Sequence, residues 1–315
     1  MSELSERLWT GGVSAYCPTT LSATTEELAD TVSRIGPWIR KQWAARAKHQ
    51  ALPLGIHLEG PFIHPNSRGA HPLEAIRPVE LSELDRLWEL SKNTLKVLTI
   101  APENVSHLKG LTDWCKKRKV ILSLGHSRAT EEQADHAFDL GFSGVTHAWN
   151  ALPFHHRAPG PLGAALGRKG VHIELIIDQI HVAPTLLRWT RKLHGNEPVC
   201  YVSDCVPAAA TANPDETGPW TAFGSLQIRQ QGGACRLADG SLAGGGLLLP
   251  QMISRYLETE AQQTGKPLAK LLKEQARHWS KDPVRALRLP ASLQKRALLG
   301  RLEWHLEHGH LSAKR

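Results

Sequence analysis

No pair of cysteines in this 315-residue chain has CxxC spacing, and the total of five is odd. A disulfide framework is therefore not expected, and the thiols fit a reducing cytoplasm. No run approaches 18 consecutive apolar residues, so the sequence offers no transmembrane helix and no membrane partner is expected. Met1 to Trp9 is charged and lacks an apolar centre, so it does not read as a secretory signal. Signatures of nucleic-acid-binding modules are also missing. The net charge of +8 is spread along the chain. Its densest run, Lys116-Lys117-Arg118-Lys119, precedes an apolar segment and reads as a solvated helix end rather than a nucleic-acid contact. The remainder is ordinary for a globular protein, with 41% hydrophobic and 22% charged residues. A chain of this length buries a substantial core, in one large α/β domain or two smaller ones.

What the sequence does contain is a repeated alternation. Short apolar, β-prone runs are expected as strands at 13–17, 52–58, 95–100, 120–124, 144–146, 171–177 and 199–203. Between them lie helical patterns. One starts at Thr24-Thr25-Glu26-Glu27, where Pro37 is expected to bend or interrupt it, and others cover 81–90, 105–117, 130–140 and 184–193. Thr130 is the expected cap of the fourth, with Glu131 and Glu132 in its first turn. Two long Pro-containing loops, 60–80 and 150–163, interrupt the pattern, and loops of that length inside a domain are usually functional. Further on, 223–228 and 234–237 read as a polar hairpin, Gly244-Gly245-Gly246 as the opening of a helix to about 257, and 267–281 as a last helical stretch that Pro283 interrupts.

Strand–helix alternation marks a parallel α/β architecture. Several of the strands end on a residue with chemistry. Glu59 follows an apolar run and is stopped by Gly60-Pro61, and His126, His147, His181 and Asp204 follow later runs. The intervals are 67, 21, 34 and 23 residues. The first spans two strand–helix units and the others about one each, at roughly 30 residues per unit. An open doubly wound sheet brings only neighbouring strand ends together. A closed barrel brings all of them to one mouth, so the spacing favours a barrel. Glu59, His126 and His147 offer one carboxylate oxygen and two imidazole nitrogens, a set suited to Zn²⁺ or a similar divalent ion. Such an ion lowers the pKa of a bound water towards neutrality. Asp204 is then the candidate to take that proton and pass it to a leaving group.

Several motifs occur in a fixed order. They are Gly55-Ile56-His57-Leu58-Glu59-Gly60-Pro61 with Arg68-Gly69-Ala70-His71, then Gly125-His126-Ser127-Arg128-Ala129-Thr130, and Thr146-His147-Ala148-Trp149-Asn150-Ala151-Leu152-Pro153. Ile177-Asp178-Gln179-Ile180-His181-Val182, Ser203-Asp204 and Leu242-Ala243-Gly244-Gly245 follow. This ordered set resembles the N-acetylglucosamine-6-phosphate deacetylases of the amidohydrolase superfamily, from about residue 10 to about residue 300.

The resemblance implies one catalytic divalent metal, most simply zinc with iron, cobalt or manganese as alternatives, on Glu59, His126 and His147. It implies Asp204 as general base and then acid, with His71 polarising the substrate carbonyl. Ala70, His71, Asn150, Ala151, Asp178, His181 and the backbone of Leu242, Ala243 and Gly244 correspond to substrate contacts. Arg157 corresponds to the phosphate-binding arginine, in a loop one residue shorter here. Its planar fork suits phosphate oxygens. Gln179 stands where the family has glycine, and Ser203-Asp204-Cys205 replaces a usual Thr-Asp-Ala.

The family begins with strands of a small sandwich domain and a first barrel strand that have no counterpart here. Gly300-Arg301-Leu302-Glu303 resembles the approach to returning sandwich strands. The expected architecture is thus a TIM-like (β/α) barrel of the metal-dependent hydrolase type over residues 1–303, incomplete at its N-terminus, with the companion β-sandwich largely absent. Residues 304–315 are expected to form an unstructured or atypical tail. The expected activity is hydrolysis of the acetamide of N-acetylglucosamine 6-phosphate by a cytoplasmic homodimer. The alternatives are a related amidohydrolase with another amide substrate, or an inactive homologue that binds a sugar phosphate.

Overall fold

The computed structural model describes residues 1–45, 49–210, 216–297, 303–307 and 310–314. Helix α1 (Ser2–Thr10) leads into strand β1 (Ala15–Tyr16) and helix α2 (Thr25–Ala44). The alternation then runs through β2 (Leu52–Pro53), β3 (Ile56–Glu59), α3 (Leu81–Leu90), β4 (Leu95–Ile100), α4 (Leu108–Arg118), β5 (Ile121–Leu124), α5 (Glu131–Leu140), β6 (Gly144–Val145), α6 (Gly160–Ala165), β7 (His172–Ile176), α7 (Pro184–His194) and β8 (Val199–Val202). Strands β3 to β8 form one parallel sheet in sequence order. The expected 52–58 strand is split into β2 and β3 at Leu54-Gly55, where Gly55 has φ +137°. Strand β1 pairs with β2, and Thr19 bridges to His57 on β3. The chain at 15–19 therefore lies beside β2 and the start of β3, parallel to both.

Local sequence accounts for several of these elements. Thr24 caps α2 by accepting from the Glu27 amide while Glu27 reaches back to the Thr24 amide. Thr130 and Gln133 do the same for α5. The apolar residues of β3 to β8 are buried with the inward faces of the helices in one core that includes Val32, Leu58, Leu84, Leu98, Leu124, Leu175 and Tyr201. Inside the curved sheet, part of that layer is polar. His57 Nε2 meets Thr99 Oγ1 at 2.7 Å, Thr99 meets Thr146 at 2.6 Å, and Thr146 meets Ser123 at 2.6 Å. The chain of hydrogen bonds ties β3, β4, β5 and the end of β6 together directly beneath their carboxyl ends.

Four expectations require correction. Pro37 does not interrupt α2, which runs unbroken to Ala44. Leu28, Ala29, Val32, Gly36 and Ile39 form a buried stripe on both sides of the proline, and tertiary packing outweighs the local cost. Gly244 and Gly245 do not open a helix. They end strand β12 (Leu242–Gly245), which pairs with β11 (Ala234–Arg236), β10 (Leu226–Gln231) and β9 (Thr221–Phe223) in a four-stranded antiparallel sheet that includes the expected hairpin. Helix α8 (Leu249–Thr264) starts later. Pro283 sits within the short helix Lys281–Ala286, in its first turn, where a missing N–H costs nothing. Finally, the 304–315 segment is not featureless. Strands β13 (Glu303–Glu307) and β14 (His310–Lys314) form an antiparallel hairpin, with Leu311 buried and its amide bound to Glu258 of α8 at 2.7 Å. Gly300-Arg301-Leu302 lies outside the described residues.

At Gly36, α2 packs tightly against the end of α3. A Cβ there would lie 2.1 Å from the Ser91 carbonyl oxygen. In an open helix Gly→Ala adds about 1 kcal/mol, but here the clash is with backbone. Gly36→Ala is expected to destabilise the protein by about 2–3 kcal/mol in urea denaturation; a stabilised variant would show that the two helices are further apart than described.

Candidate active site

The sheet delivers its chemistry at one edge. Glu59 is the last residue of β3, and its whole strand is buried. His126 and His147 each lie two residues beyond β5 and β6, and Asp178 and Asp204 two beyond β7 and β8. Gly60 turns the chain immediately after Glu59 with φ +65°, and a Cβ there would strike Ser22 Oγ at 2.1 Å. Three of the other residues are backbone exceptions. His126, His147 and Asp204 have φ of +47°, +28° and +48°, a region that costs a non-glycine residue on the order of 1–3 kcal/mol. Each is pinned by its carbonyl. The His126 carbonyl accepts from the His64 amide at 2.9 Å, that of His147 from the Asn150 amide at 3.1 Å, and that of Asp204 from the Gly245 amide at 2.8 Å.

Glu59 Oε1 lies 3.0 Å from His126 Nε2 and 2.8 Å from His147 Nε2, and the two nitrogens are 3.0 Å apart. All three residues are buried. His126 Nδ1 sits 2.7 Å from the Ser67 carbonyl, which can only accept, so Nδ1 carries the proton and Nε2 presents its lone pair to the cluster. His147 Nδ1 is buried with no hydrogen-bond partner. Burial opposes a charge on His147, but the Glu59 carboxylate outweighs it and lifts the imidazole to about 9. Burial likewise works against the Glu59 charge, yet His147 and the surrounding imidazoles hold the carboxyl well below its usual range. Acceptors converging in this way, in a carboxylate-plus-two-imidazole set, match what a divalent cation requires.

His71 comes in from the 60–80 loop. The Ser22 amide donates to its Nδ1 at 3.1 Å, with Ser22 Oγ at 2.7 Å, so the neutral ring carries its proton on Nε2. That Nε2 lies 3.9 Å from Glu59 Oε1, facing the cluster. Burial lowers the His71 pKa, and the neighbouring His126 and His147 add to it, which favours the neutral donor. The Asp204 carboxyl is pushed up to about 6 by burial and by the Glu59 charge, against the pull of His147, His181 and His126. Strand β12 lies against it. A Cβ on Gly244 (φ +98°) would sit 2.8 Å from the Asp204 carbonyl oxygen, so only glycine allows this approach.

Asp178 organises its own turn. Its Oδ1 accepts from the Ile180 and His181 amides, and its Oδ2 binds His181 Nδ1 at 2.6 Å. Ala70 and Ala243 pack in one small apolar cluster with Ala208, Ile228 and Cys235, which joins the 60–80 loop to the antiparallel sheet. Asn150 donates through Nδ2 to the His147 carbonyl at 3.1 Å, and Ala151 accepts from the Ser127 amide at 3.2 Å. The structure thus places Glu59, His71, His126 and His147 in one buried group, couples the half-buried Asp204 to it electrostatically, and ties Asn150, Ala151 and β12 to its edges. Arg157 is not brought in. It is exposed on the 150–163 loop, with its guanidinium 3.1 Å from His156 Nε2.

Sequence reasoning overlooked Ser22 and Ser67, which set the protonation of His71 and His126 and leave no sequence signal. It also overlooked Glu174, on β7. A charged residue inside the apolar run Val171 to Ile177 was a visible signal. The carboxyl is pushed up to about 7 by burial, with His147 pulling it down and Glu59 and Asp204 reinforcing the rise.

No family model matches the chain. It is 36% identical over 248 residues to the N-acetylgalactosamine-6-phosphate deacetylase of Escherichia coli O157:H7, covering 78% of this chain and 63% of that protein. It is 33% identical over 246 residues to the N-acetylglucosamine-6-phosphate deacetylase of Bacillus subtilis (strain 168), covering 76% and 59%. Among solved structures, the N-acetylglucosamine-6-phosphate deacetylase of Thermotoga maritima superposes with a TM-score of 0.78 at 30% identity, over 94% of this chain and 74% of the other. The chain therefore spans about three fifths of the length of these two curated relatives.

Glu174 makes stability pH-dependent in the metal-free protein. Its folded pKa exceeds its unfolded value of 4.5, so the native state keeps a proton that the unfolded chain releases, and stability falls as pH rises from about 4.5 to about 7. Glu174→Gln removes that dependence. After chelator treatment, urea denaturation at pH 8 should find the variant more stable by about 1–3 kcal/mol, and at pH 4.5 the two proteins should coincide. A difference that does not vary with pH contradicts the buried-acid assignment.

Proposed function

Because the chain belongs to the N-acetylglucosamine-6-phosphate deacetylase family, we propose that it hydrolyses the acetamide of an N-acetylated amino-sugar 6-phosphate, first of all N-acetylglucosamine 6-phosphate. The observation that carries the reading is the convergence of Glu59, His126 and His147 at 2.8–3.0 Å, with His71 and Asp204 beside them. Glu59 Oε1, His126 Nε2 and His147 Nε2 are the atoms to hold one divalent ion, zinc by the donor set. When bound, that ion supplies Lewis-acid polarisation and lowers the pKa of water.

The protein's own residues do the remainder. His71 donates its Nε2 proton in a hydrogen bond to the acetamide oxygen and stabilises the charge that develops there. Asp204 accepts a proton from the attacking water, and its raised pKa suits a group that must both take and return a proton. The water oxygen forms the new bond to the carbonyl carbon, the carbon–nitrogen bond breaks, and Asp204 returns the proton to the departing amine. Acetate and the amino-sugar phosphate leave. His181, held by Asp178, orients the sugar together with Asn150, Ala151 and the backbone of Leu242 to Gly244. Arg157 serves the phosphate from its exposed loop. We place the activity in a (β/α) barrel unit over 1–303, in a cytoplasmic homodimer.

A second reading, another amide on the same scaffold, draws on one observation. Gln179 occupies φ +67° in the Asp178–His181 turn, where the resemblance expects glycine, so the turn that carries His181 bears a side chain the family lacks. The two curated relatives also carry names that differ in the sugar. Assays of N-acetylglucosamine 6-phosphate, N-acetylgalactosamine 6-phosphate and unphosphorylated N-acetylglucosamine separate these cases. The phosphorylated sugars should be favoured at least about tenfold in kcat/KM if one charge-assisted contact holds the phosphate.

Asp204→Asn should lower kcat by a factor of 10² or more, roughly the reach of general acid–base catalysis, while elemental analysis still finds one metal per chain. Near-full activity in that variant would sink the assignment. Glu59→Ala should lose the metal itself, and a metal content equal to that of the unaltered protein would remove Glu59 from the ligand set.

A further inference from the structure

Strand β4 lies between the strands that carry Glu59 and His126, and it contributes none of the candidate ligands. Its carboxyl end turns through Pro102–Asn104 instead. From this turn the Glu103 carboxylate reaches the two residues that follow His126. Oε2 accepts from Ser127 Oγ at 2.7 Å, and Oε1 accepts from the Arg128 amide at 2.5 Å. The next residue, Asn104, donates through Nδ2 to the Ile63 carbonyl at 3.1 Å, beside the His64 amide that holds the His126 carbonyl. Ser127 is buried and fully used. Its amide donates to the Ala151 carbonyl at 3.2 Å, its hydroxyl accepts from the Ala129 amide at 3.0 Å, and its carbonyl accepts from Ser67 Oγ at 3.3 Å.

We propose that Glu103 is a positioning residue for the metal ligand His126: its carboxylate clamps Ser127 and Arg128 and so holds His126 in its left-handed backbone conformation with Nε2 aimed at Glu59 and His147. This rests on the assignment of Glu59, His126 and His147 as metal ligands. The physical need is specific. At φ +47° His126 is not in a conformation its local sequence favours. The ring is steered by the Ser67 carbonyl, but the ring's origin depends on the backbone at 126–128. Two charge-assisted hydrogen bonds from one carboxylate, anchored on a neighbouring strand end, fix that segment on its outer side. Released from them, the peptide can relax toward right-handed or extended geometry and turn Nε2 out of the cluster.

The test is zinc affinity, measured on the full chain by competition with a chromophoric chelator, with the visible spectrum of the Co²⁺-substituted protein as a report of ligand geometry. Glu103→Ala should weaken zinc by about 10–100-fold, the usual effect of losing a residue that orients a ligand, and should alter the Co²⁺ band shape. Ser127→Ala removes one of the two bonds and should give a smaller loss. Glu103→Gln keeps an oxygen for the Arg128 amide and an amide group for Ser127 Oγ, so it should restore affinity to within about threefold of the unaltered protein. If Glu103→Ala does not fold, Glu103→Asp carries the same expectation, because its shorter arm cannot reach both donors. Zinc affinity and a Co²⁺ spectrum unchanged in Glu103→Ala, or in Glu103→Asp where that is the variant that folds, would overturn the clamp and leave the ligand assignment standing. An unaltered protein that binds no zinc would overturn the ligand assignment and this inference with it.

Discussion

Three acceptor atoms that ought to repel one another define this protein. Glu59 Oε1 and the two Nε2 atoms of His126 and His147 lie within 3.0 Å of each other in a buried site. In the absence of a cation, a proton has to be shared among them. That is why His147 rises to about 9 while Glu59 stays ionised. Burial strengthens both the attraction and the penalty. The surrounding groups follow the same field. Asp204 and Glu174 are both raised, and His71 is kept neutral with its proton facing inward. Under the proposed metal assignment, a divalent ion on these three atoms would relieve the whole arrangement at once and so couple metal affinity to local stability.

Holding the acceptors together requires backbone conformations that the chain resists. His126, His147 and Asp204 all sit at positive φ. Each is trapped by hydrogen bonds from a different part of the molecule: the 60–80 loop through His64 and Ser67, the Asn150 turn, and strand β12 through Gly245. Beneath them, the His57–Thr99–Thr146–Ser123 chain locks the strands in register. Strain at the strand ends is thus offset by order in the layer below, and the loops that look irregular in sequence provide the restraint. Among the described residues, the free side of β8 is met by β12 through the Cys205–Gly245 bridge rather than by another strand of the parallel set. The antiparallel sheet thereby takes part in holding Asp204.

Much of this was legible beforehand. The alternation of apolar runs with helical patterns predicted β3 to β8 and the helices between them except α6, which starts within the expected 150–163 loop, because strand burial and helical periodicity are written in residues a few positions apart. Glu59, His126, His147 and Asp204 were legible for a similar reason: each follows an apolar run, and unit spacing places such residues at one mouth. Pro37 misled, since the stripe from Leu28 to Ile39 outweighs one lost hydrogen bond. Gly244 misled as well. Its role is to let β12 approach Asp204, a contact between segments 40 residues apart. The 304–315 hairpin has no strong strand pattern and depends on α8 to bury Leu311.

The sequence alone determined the fold class, the candidate ligands and the order in which they occur along the chain, because burial, capping and donor chemistry depend on residue type and short spacing. It also carried a family resemblance that the comparisons uphold. Only the tertiary structure decided which nitrogen of His71 and of His126 faces the site, since Ser22 and Ser67 act from loops far away in the chain. It alone decided that the Glu174 carboxyl is coupled to the cluster and that Arg157 stands apart on an exposed loop. Tautomer, backbone strain and proximity are properties of hydrogen bonds between distant segments, and no local pattern in the chain encodes them.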